Sequence, residues 1–469
     1  MIKFLVILLN AFFVFFTDKP LSGEPSLSPR AQEQRIKWHI ETDELDYPVN
    51  DAYLDSLRNM GITIYHTSRW FNGASCEMNE AQEKQVENLP FVAKVEMTRD
   101  DSAPIYSPIK RILQNTTTSP LPPDGATDAQ LDLFNLRPLL LAGYEGQGIL
   151  MAICDGGFYN ADTLSCFRQA QELGHFDFTD DEDDFYGTTG AHGTACLSTI
   201  SGILEWYYGA ATKANYYLMR SEEDETESPK EMDNLVAALE KADSLGVNIF
   251  SVSLGYALFD NDAWTLNKFT DLDGRTTRVS LAATIAARKG MLVCVAAGNE
   301  GNSEWQTISA PGDADSILTV GAVDTDRMIG SFSSWGPSSD NRIKPDVCAV
   351  GVQTALIHPS GIIFNGNGTS FATPLMAGLA ASLWSALPDE NAMQIRERII
   401  RSSDRYSQPD PYRYGYGIPD AWLAYTMTLP EGTEHIQHSA ERIQKVLRNE
   451  QILLMYDGQI YDILGRRIE

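Results

Sequence analysis

Between residues 128 and 428 short apolar runs keep returning, with helix-like stretches between them, and that alternation limits the possible folds more than any other feature of the chain. GQGILMAICDGG, ANYYLMRS, VNIFSVSLGY, MLVCVAAGNEG and ILTVGAVD read as strands. NLVAALEKADSLG, LAATIAARKG and FATPLMAGLAASLWSAL read as helices separating several of them. Buried strands that alternate with helices imply an α/β fold: a doubly wound, mainly parallel sheet. In such sheets reacting groups gather outside the carboxyl ends of the strands. The residues that end each run are therefore the ones to inspect.

The flanking segments differ in texture. Residues 1–22, MIKFLVILLNAFFVFFTDKPLS, read as a signal peptide, with Lys3 as its positive start and Phe4 to Phe16 as its apolar run. That run is short of the roughly 20 apolar residues of a membrane span. No small-x-small cleavage site follows it, so an uncleaved anchor is the competing reading. Residues 23–99 form a small α+β unit. In it RIKWHIETD is expected as a strand, VNDAYLDSLRNMG as a helix stopped by Gly61, and ITIYHTSRWFNGASCEM as one or two strands. EAQEKQVENLP and FVAKVEMTR complete it as a helix and a strand. Residues 100–127, rich in Pro, Ser and Thr, read as a linker. After the large unit, 128–428, a tail at 429–469 ends in a β-hairpin expected to turn at Asp457-Gly458.

Composition removes some functions. With 36 Lys and Arg against 64 Asp and Glu, the net charge is −28, and no basic stripe offsets it, so nucleic acid is not an expected partner. Cys154, Cys196, Cys294 and Cys348 lie in apolar runs and read as small buried hydrophobes, while the six cysteines show no metal-ligand spacing. The acidic run DFTDDEDDFYG at 177–187 lacks the spacing of a calcium loop and reads as a solvated loop.

Four run-ends carry chemistry. Asp155 closes ILMAICDGG, His192 opens a helical run in GAHGTACLSTISG, Asn299 follows VAAG, and Ser370 heads the apolar helix after GNGT. Alone, each has a structural reading: a cap, a packed imidazole, a turn residue, a helix start. Together they supply a nucleophile, a base, an acid to orient the base, and an amide to hold an oxyanion. Pro374 is compatible with a helix that starts near Ser370, provided it falls in the first turn, where N–H groups lack intrahelical partners.

Asp155-Gly156-Gly157, His192-Gly193-Thr194, Ala297-Gly298-Asn299 and Gly368-Thr369-Ser370-Phe371-Ala372-Thr373-Pro374 resemble the signatures of subtilisin-like serine peptidases, in the same Asp, His, Ser order. SVSLGY at 251–256, SFSSWGP at 331–337 and KPDVCAVG at 344–351 are similar to further segments of that family. Gly156 departs from the Ser or Thr that many members carry, at a position with no chemical part.

The resemblance implies an exported serine endopeptidase that needs no cofactor for its chemistry, with structural calcium allowed. Asp155, His192, Ser370 and Asn299 would be catalytic. Ser253, Leu254, Gly255, Ala297 and Gly298 would line the substrate cleft, with peptide or protein substrates added as a strand. The 23–99 unit is similar in layout to the family's prodomains, and its text to subtilases of Bacteroidetes-type bacteria. It would act as an inhibitor until cut away in the linker, or stay as a permanent accessory domain. A monomer is expected. The rival reading is a catalytically inactive surface binding protein on the same fold.

Overall fold

The computed structural model describes residues 9–21, 23–100, 125–179, 184–187, 190–223, 226–429, 444–448, 451–456 and 459–462. Its amino-terminal unit contains β1 (Asn10–Phe16), α1 (Pro29–Lys37), α2 (Asp51–Asn59), β2 (Thr63–Ser68), β3 (Gly73–Met78), α3 (Glu80–Val86) and β4 (Val92–Arg99). The four strands form one sheet in the order β2-β3-β1-β4, and every pairing in it is antiparallel.

Two expectations for this unit are corrected. The apolar run assigned to a signal peptide supplies β1, an inner strand of the sheet. Phe12, Val14 and Phe16 pack with Leu54 and Leu57 of α2, while Phe13 and Phe15 lie under the Arg278 guanidinium, 4.7 and 5.7 Å from its carbon. A strand covered on both faces loses the polar alternation of a surface strand and reads as continuously apolar. Lys3 lies outside the described residues. RIKWHIETD is not a strand either: Pro29–Lys37 is a helix whose cap, Ser28, accepts a hydrogen bond from the Ala31 N–H. The β1 run takes the sheet position assigned to it.

The large unit is built on seven parallel strands. They are β5 (Leu150–Asp155), β6 (Glu172–Asp177), β7 (Asn215–Arg220), β8 (Ile249–Val252), β9 (Leu292–Ala296), β10 (Leu318–Val323) and β11 (Val347–Val350). Their order is β11-β10-β9-β8-β5-β7-β6. The chain starts at β5, builds one side of the sheet, and then crosses back past β5 to build the other, which creates a switch point there. One face is covered by α4 (Ala191–Ser201) and α7 (Thr369–Ala386), and the other by α5 (Pro229–Leu245) and α6 (Arg278–Arg288). Residues 369–384 of α7 are buried throughout, as an all-apolar helix requires. All six cysteines are buried and unpaired. The tail contributes three short antiparallel strands, Gln444–Arg448, Gln451–Tyr456 and Gln459–Asp462, one more than expected. The expected turn at Asp457-Gly458 lies outside the described residues. So does the middle of the 177–187 acidic run, and so do residues 101–124 of the linker. Among the described residues no helix is long and apolar enough to cross a membrane.

The amino-terminal sheet lies on α5 and α6, and charge decides how it sits. Glu240 of α5 accepts the backbone N–H groups of Arg69 and Trp70 at 2.9 and 3.2 Å and the Ser68 hydroxyl at 2.5 Å. Asp243 accepts from Arg35 at 2.8 Å and from Arg69 at 2.6 Å, and all three side chains are buried. Arg35 also bonds Asp46, which Lys289 reaches at 2.7 Å from the large unit. Buried pairs of this kind fix geometry more than they add stability, but removing one member strands the other's charge. In a Ser370→Ala background, which keeps the chain intact, Asp243→Ala is expected to cost about 3–5 kcal/mol of stability. Urea unfolding of the two full-length proteins measures it.

Candidate active site

β5 delivers Asp155 at its carboxyl end, 1% exposed, with the Gly156 N–H donating to its Oδ1 at 2.9 Å. The head of α4 must come very close to that strand end. A Cβ at Gly193 would stand 2.2 Å from the Gly157 carbonyl oxygen and 2.9 Å from the Asp155 Cβ, so only glycine permits the approach. The approach sets His192 Nδ1 at 2.8 and 3.0 Å from the two Asp155 carboxylate oxygens. Its Nε2 is 2.9 Å from Ser370 Oγ. With Nδ1–H donated to the carboxylate, Nε2 keeps a lone pair for the serine proton. Burial opposes charge on the ring, yet the adjacent Asp155 carboxylate outweighs it, and the His192 pKa is raised well above the ordinary imidazole value.

Ser370 is the second residue of α7, and the helix corrects the expectation for Pro374. The proline is the sixth helical residue, past the first turn. It therefore removes the N–H that would bond the Ser370 carbonyl four residues back. That carbonyl instead accepts from Ser253 Oγ at 2.8 Å and from Cys196 Sγ at 3.2 Å. The missing bond thus ties the serine to the end of β8 and the middle of α4. Cys196 also lies 3.8 Å from His192 Nδ1. Its part at the site was not legible, since the apolar run around it describes its burial equally well.

Asn299 stands just beyond β9. Its Oδ1 accepts from the Thr369 N–H at 2.9 Å and the Thr369 hydroxyl at 3.0 Å, and the same hydroxyl accepts from the Gly298 N–H at 3.2 Å. The oxygen end is occupied, so the amide's Nδ2 is turned to the other side as a donor. Thr369 was missed as an orienting residue; its only signal was its place directly before Ser370. Ser253, Leu254 and Gly255 follow β8, and Ala297 and Gly298 follow β9, so the structure sets these two segments at neighbouring strand ends. The Ala297 side chain itself is 0% exposed and belongs to the core.

Asp155, His192 and Cys196 place three ligand-type atoms within 4.8 Å of one another. Both imidazole nitrogens are already used by Asp155 and Ser370, so the arrangement suits proton transfer rather than an ion. It can move a proton from Ser370 Oγ to an imidazole whose resulting charge the carboxylate stabilises.

Residues 146–417 match the model of the Subtilase family. The chain belongs to the subtilase family. It is a serine-type endopeptidase. Residues 11–112 match the peptidase S8 propeptide domain of Bacteroidota, a span that takes in nearly all of β1. Serine protease AprX of Bacillus subtilis is 30% identical over 59% of this chain and 66% of its own length. Subtilisin DY of Bacillus licheniformis is 31% identical over 59% of this chain and 90% of its own. Among solved structures, MycP1 with its propeptide removed superposes with a TM-score of 0.52 at 22% identity, covering 65% of this chain and 99% of that one. The prenylagaramide maturation protease PagA gives 0.51 at 23%, covering 62% and 98%. At those identities the likeness speaks for the fold.

In this subtilase, Asn299→Ala is expected to lower kcat by about 10²–10³-fold, the loss known for an oxyanion-hole amide of a subtilisin. Thr369→Val, which removes the hydroxyl bridging Gly298 and Asn299, should lower kcat in the same direction by a smaller factor. KM should stay nearly constant in both. Steady-state kinetics on one peptide substrate separates the two constants.

Proposed function

We propose that Ser370 is the nucleophile of peptide-bond hydrolysis, His192 its base, Asp155 the group that orients that base, and Asn299 a donor to the oxyanion. The single observation that carries this reading is the unbroken line from the Asp155 carboxylate through His192 to Ser370 Oγ, at 2.8 and 2.9 Å. Ser370 Oγ attacks the scissile carbonyl while its proton passes to His192 Nε2. Asp155 holds the tautomer and stabilises the imidazolium without itself taking the proton. The oxyanion is held by the Asn299 amide and the Ser370 N–H, which lies at the head of α7 where N–H groups have no helical partner. His192 then protonates the leaving amine. Water, deprotonated by the same imidazole, hydrolyses the acyl-enzyme.

The substrate backbone lies along Ser253-Leu254-Gly255 as an added strand, with its side chain between that segment and Ala297-Gly298. The amino-terminal unit serves as a propeptide that occupies α5 and α6 and blocks the cleft until the linker at 100–127 is cut. The propeptide match and the subtilisin relatives support a location outside the cytoplasm, whether periplasm, cell surface or medium. Calcium, where bound, would be structural, and the working unit is a monomer.

A fluorophosphonate probe tests the nucleophile. The parent should label and the Ser370→Ala variant should not, and the labelled band should be shortened by a cut within residues 100–127. An unlabelled parent, even after an added protease has removed the amino-terminal unit, would leave a binding protein as the better reading. The base must be neutral to act, so kcat/KM should rise with pH as His192 loses its proton. Because its pKa is raised, the midpoint of that rise should lie above the ordinary imidazole value of about 6.5. Asp155→Asn should reduce kcat at neutral pH by about 10⁴-fold by releasing the required tautomer. A pH–rate profile of both proteins reads the two effects.

A further inference from the structure

We propose that the amino-terminal unit is a lasting subunit of the active enzyme: it stays bound after the linker is cut, held in part at the edge of the sheet opposite the site. The inference rests on the reading that the linker is cut, and goes beyond it in what becomes of the unit. Residues 23–50, between β1 and α2, leave the small sheet and run along the large unit as a strap that contains α1. Besides the ion pairs to α5, the strap grips the turns that precede three strands. Before β5, Arg30 donates to the Gly148 carbonyl at 3.4 Å. Before β8, it donates to the Gly246 carbonyl at 3.0 Å and to Asn248 Oδ1 at 2.7 Å, and the Ser28 N–H donates to the Ser244 carbonyl at 2.8 Å. Before β9, Lys289 pairs with Asp43 and with Asp46, each at 2.7 Å. Asn248 itself joins the three strands. Its Oδ1 also accepts the Leu150 N–H at 3.0 Å, its N–H donates to the Leu150 carbonyl at 2.8 Å, and its carbonyl accepts the Leu292 N–H at 2.8 Å. β5, β8 and β9 are neighbours in the sheet, and their other ends lead to Asp155, Ser253 and Asn299. Strap and reacting groups thus sit at opposite ends of the same three strands.

Apolar burial adds the second part of the hold. Trp70, between β2 and β3, is 5% exposed and belongs to the same apolar cluster as Leu235 and Leu239 of α5 and Ala282 of α6. Leu45 and Phe71 pack against that cluster too. A residue of one unit that completes the core of the other is the mark of a permanent interface, which resembles a domain core cut in half. The unit also reaches the site's edge of the sheet, through the end of β4. There Arg99 pairs at 3.2 Å with Glu223, just beyond β7. A cut past Arg99 severs the chain at that end and leaves the strap and Trp70 as they were. Cutting a link between two docked units removes the effective concentration that the link supplied, and no contact. The contacts then decide whether the pieces part.

The test reads retention with and without catalysis. In full-length Ser370→Ala carrying a foreign protease site within residues 101–124, the cut chain should elute from a sizing column as one species containing both pieces. In the matured parent, that two-piece species should take the fluorophosphonate label and cleave a peptide amide with its amino-terminal piece still bound. Trp70→Ala should speed loss of that piece after dilution by at least about 30-fold, the effect of a buried anchor side chain. Arg30→Ala, at a more exposed contact, should speed it by a smaller factor, and serves alone if the tryptophan truncation does not fold. Both changes lie outside the large unit, so its kcat/KM once stripped of its partner should equal the parent's. Pieces that separate on the column, or a two-piece parent that turns over peptide only after the amino-terminal piece has left, overturn the proposal. A dissociation rate unmoved by either variant overturns the strap and Trp70 as the hold. A parent that takes no label even when stripped overturns the peptidase reading and the active two-piece enzyme with it, while the Ser370→Ala chain decides retention separately.

Discussion

A parallel sheet delivers all its strand ends to one edge, and every candidate reacting group of this chain depends on that constraint. Asp155 is the last residue of β5, Ser253 is the first after β8, and Asn299 lies three residues beyond β9. The helices that return to the sheet begin over the same edge, which brings in His192 and Ser370. Residues from 155 to 370 thus meet without any long side chain reaching for another. What remains to be arranged is the last ångström, and glycine governs it: the head of α4 can touch the end of β5 only because Gly193 has no Cβ to meet the Gly157 carbonyl.

Pro374 acts on the same scale. A proline inside a helix ordinarily costs about 3 kcal/mol, partly through the bond it removes. Here the carbonyl it frees belongs to Ser370, and Ser253 and Cys196 satisfy it from two other elements. The lost helical bond becomes a pair of tertiary bonds that fix the backbone of Ser370. Thr369, one residue earlier, does the equivalent for Asn299 and Gly298. The residues flanking Ser370 therefore carry as much of the geometry as the serine does.

The sheet and the four chemical run-ends were legible because a buried strand and its terminal polar residue make a sharp local contrast. Thr369 and Cys196 were not, since their significance lies in what they meet across the fold and their local text is ordinary. β1 was misread for a more specific reason. NAFFVFF is apolar on both faces because its own helices cover one side and Arg278 of the other unit covers the other. Seen without that second cover, a continuously apolar run near the amino terminus has the texture of a membrane-directed segment. RIKWHIETD was misread in the opposite direction, its helix being marked by a Ser-Pro start that lies outside the quoted run.

The joint between the two units holds carboxylates of two kinds, and acid acts on them in opposite senses. Burial, opposed by the Arg and Lys groups around them, leaves Asp46, Glu96 and Glu223 below the usual carboxylate range. Their contribution is present above the unfolded-state pKa of about 4 and is lost as pH falls through their lower folded values. Asp233, raised to about 6, and Glu240, also raised, are dominated by burial, and protonation relieves them. Falling pH therefore relaxes the raised pair well before it reaches the lowered trio. Mild acid, down to roughly pH 5, should leave the amino-terminal unit in place. Salt should do little more, because the pairs are buried. A joint of this kind, held by buried pairs and by backbone N–H groups on Glu240, is thus not undone by titration alone.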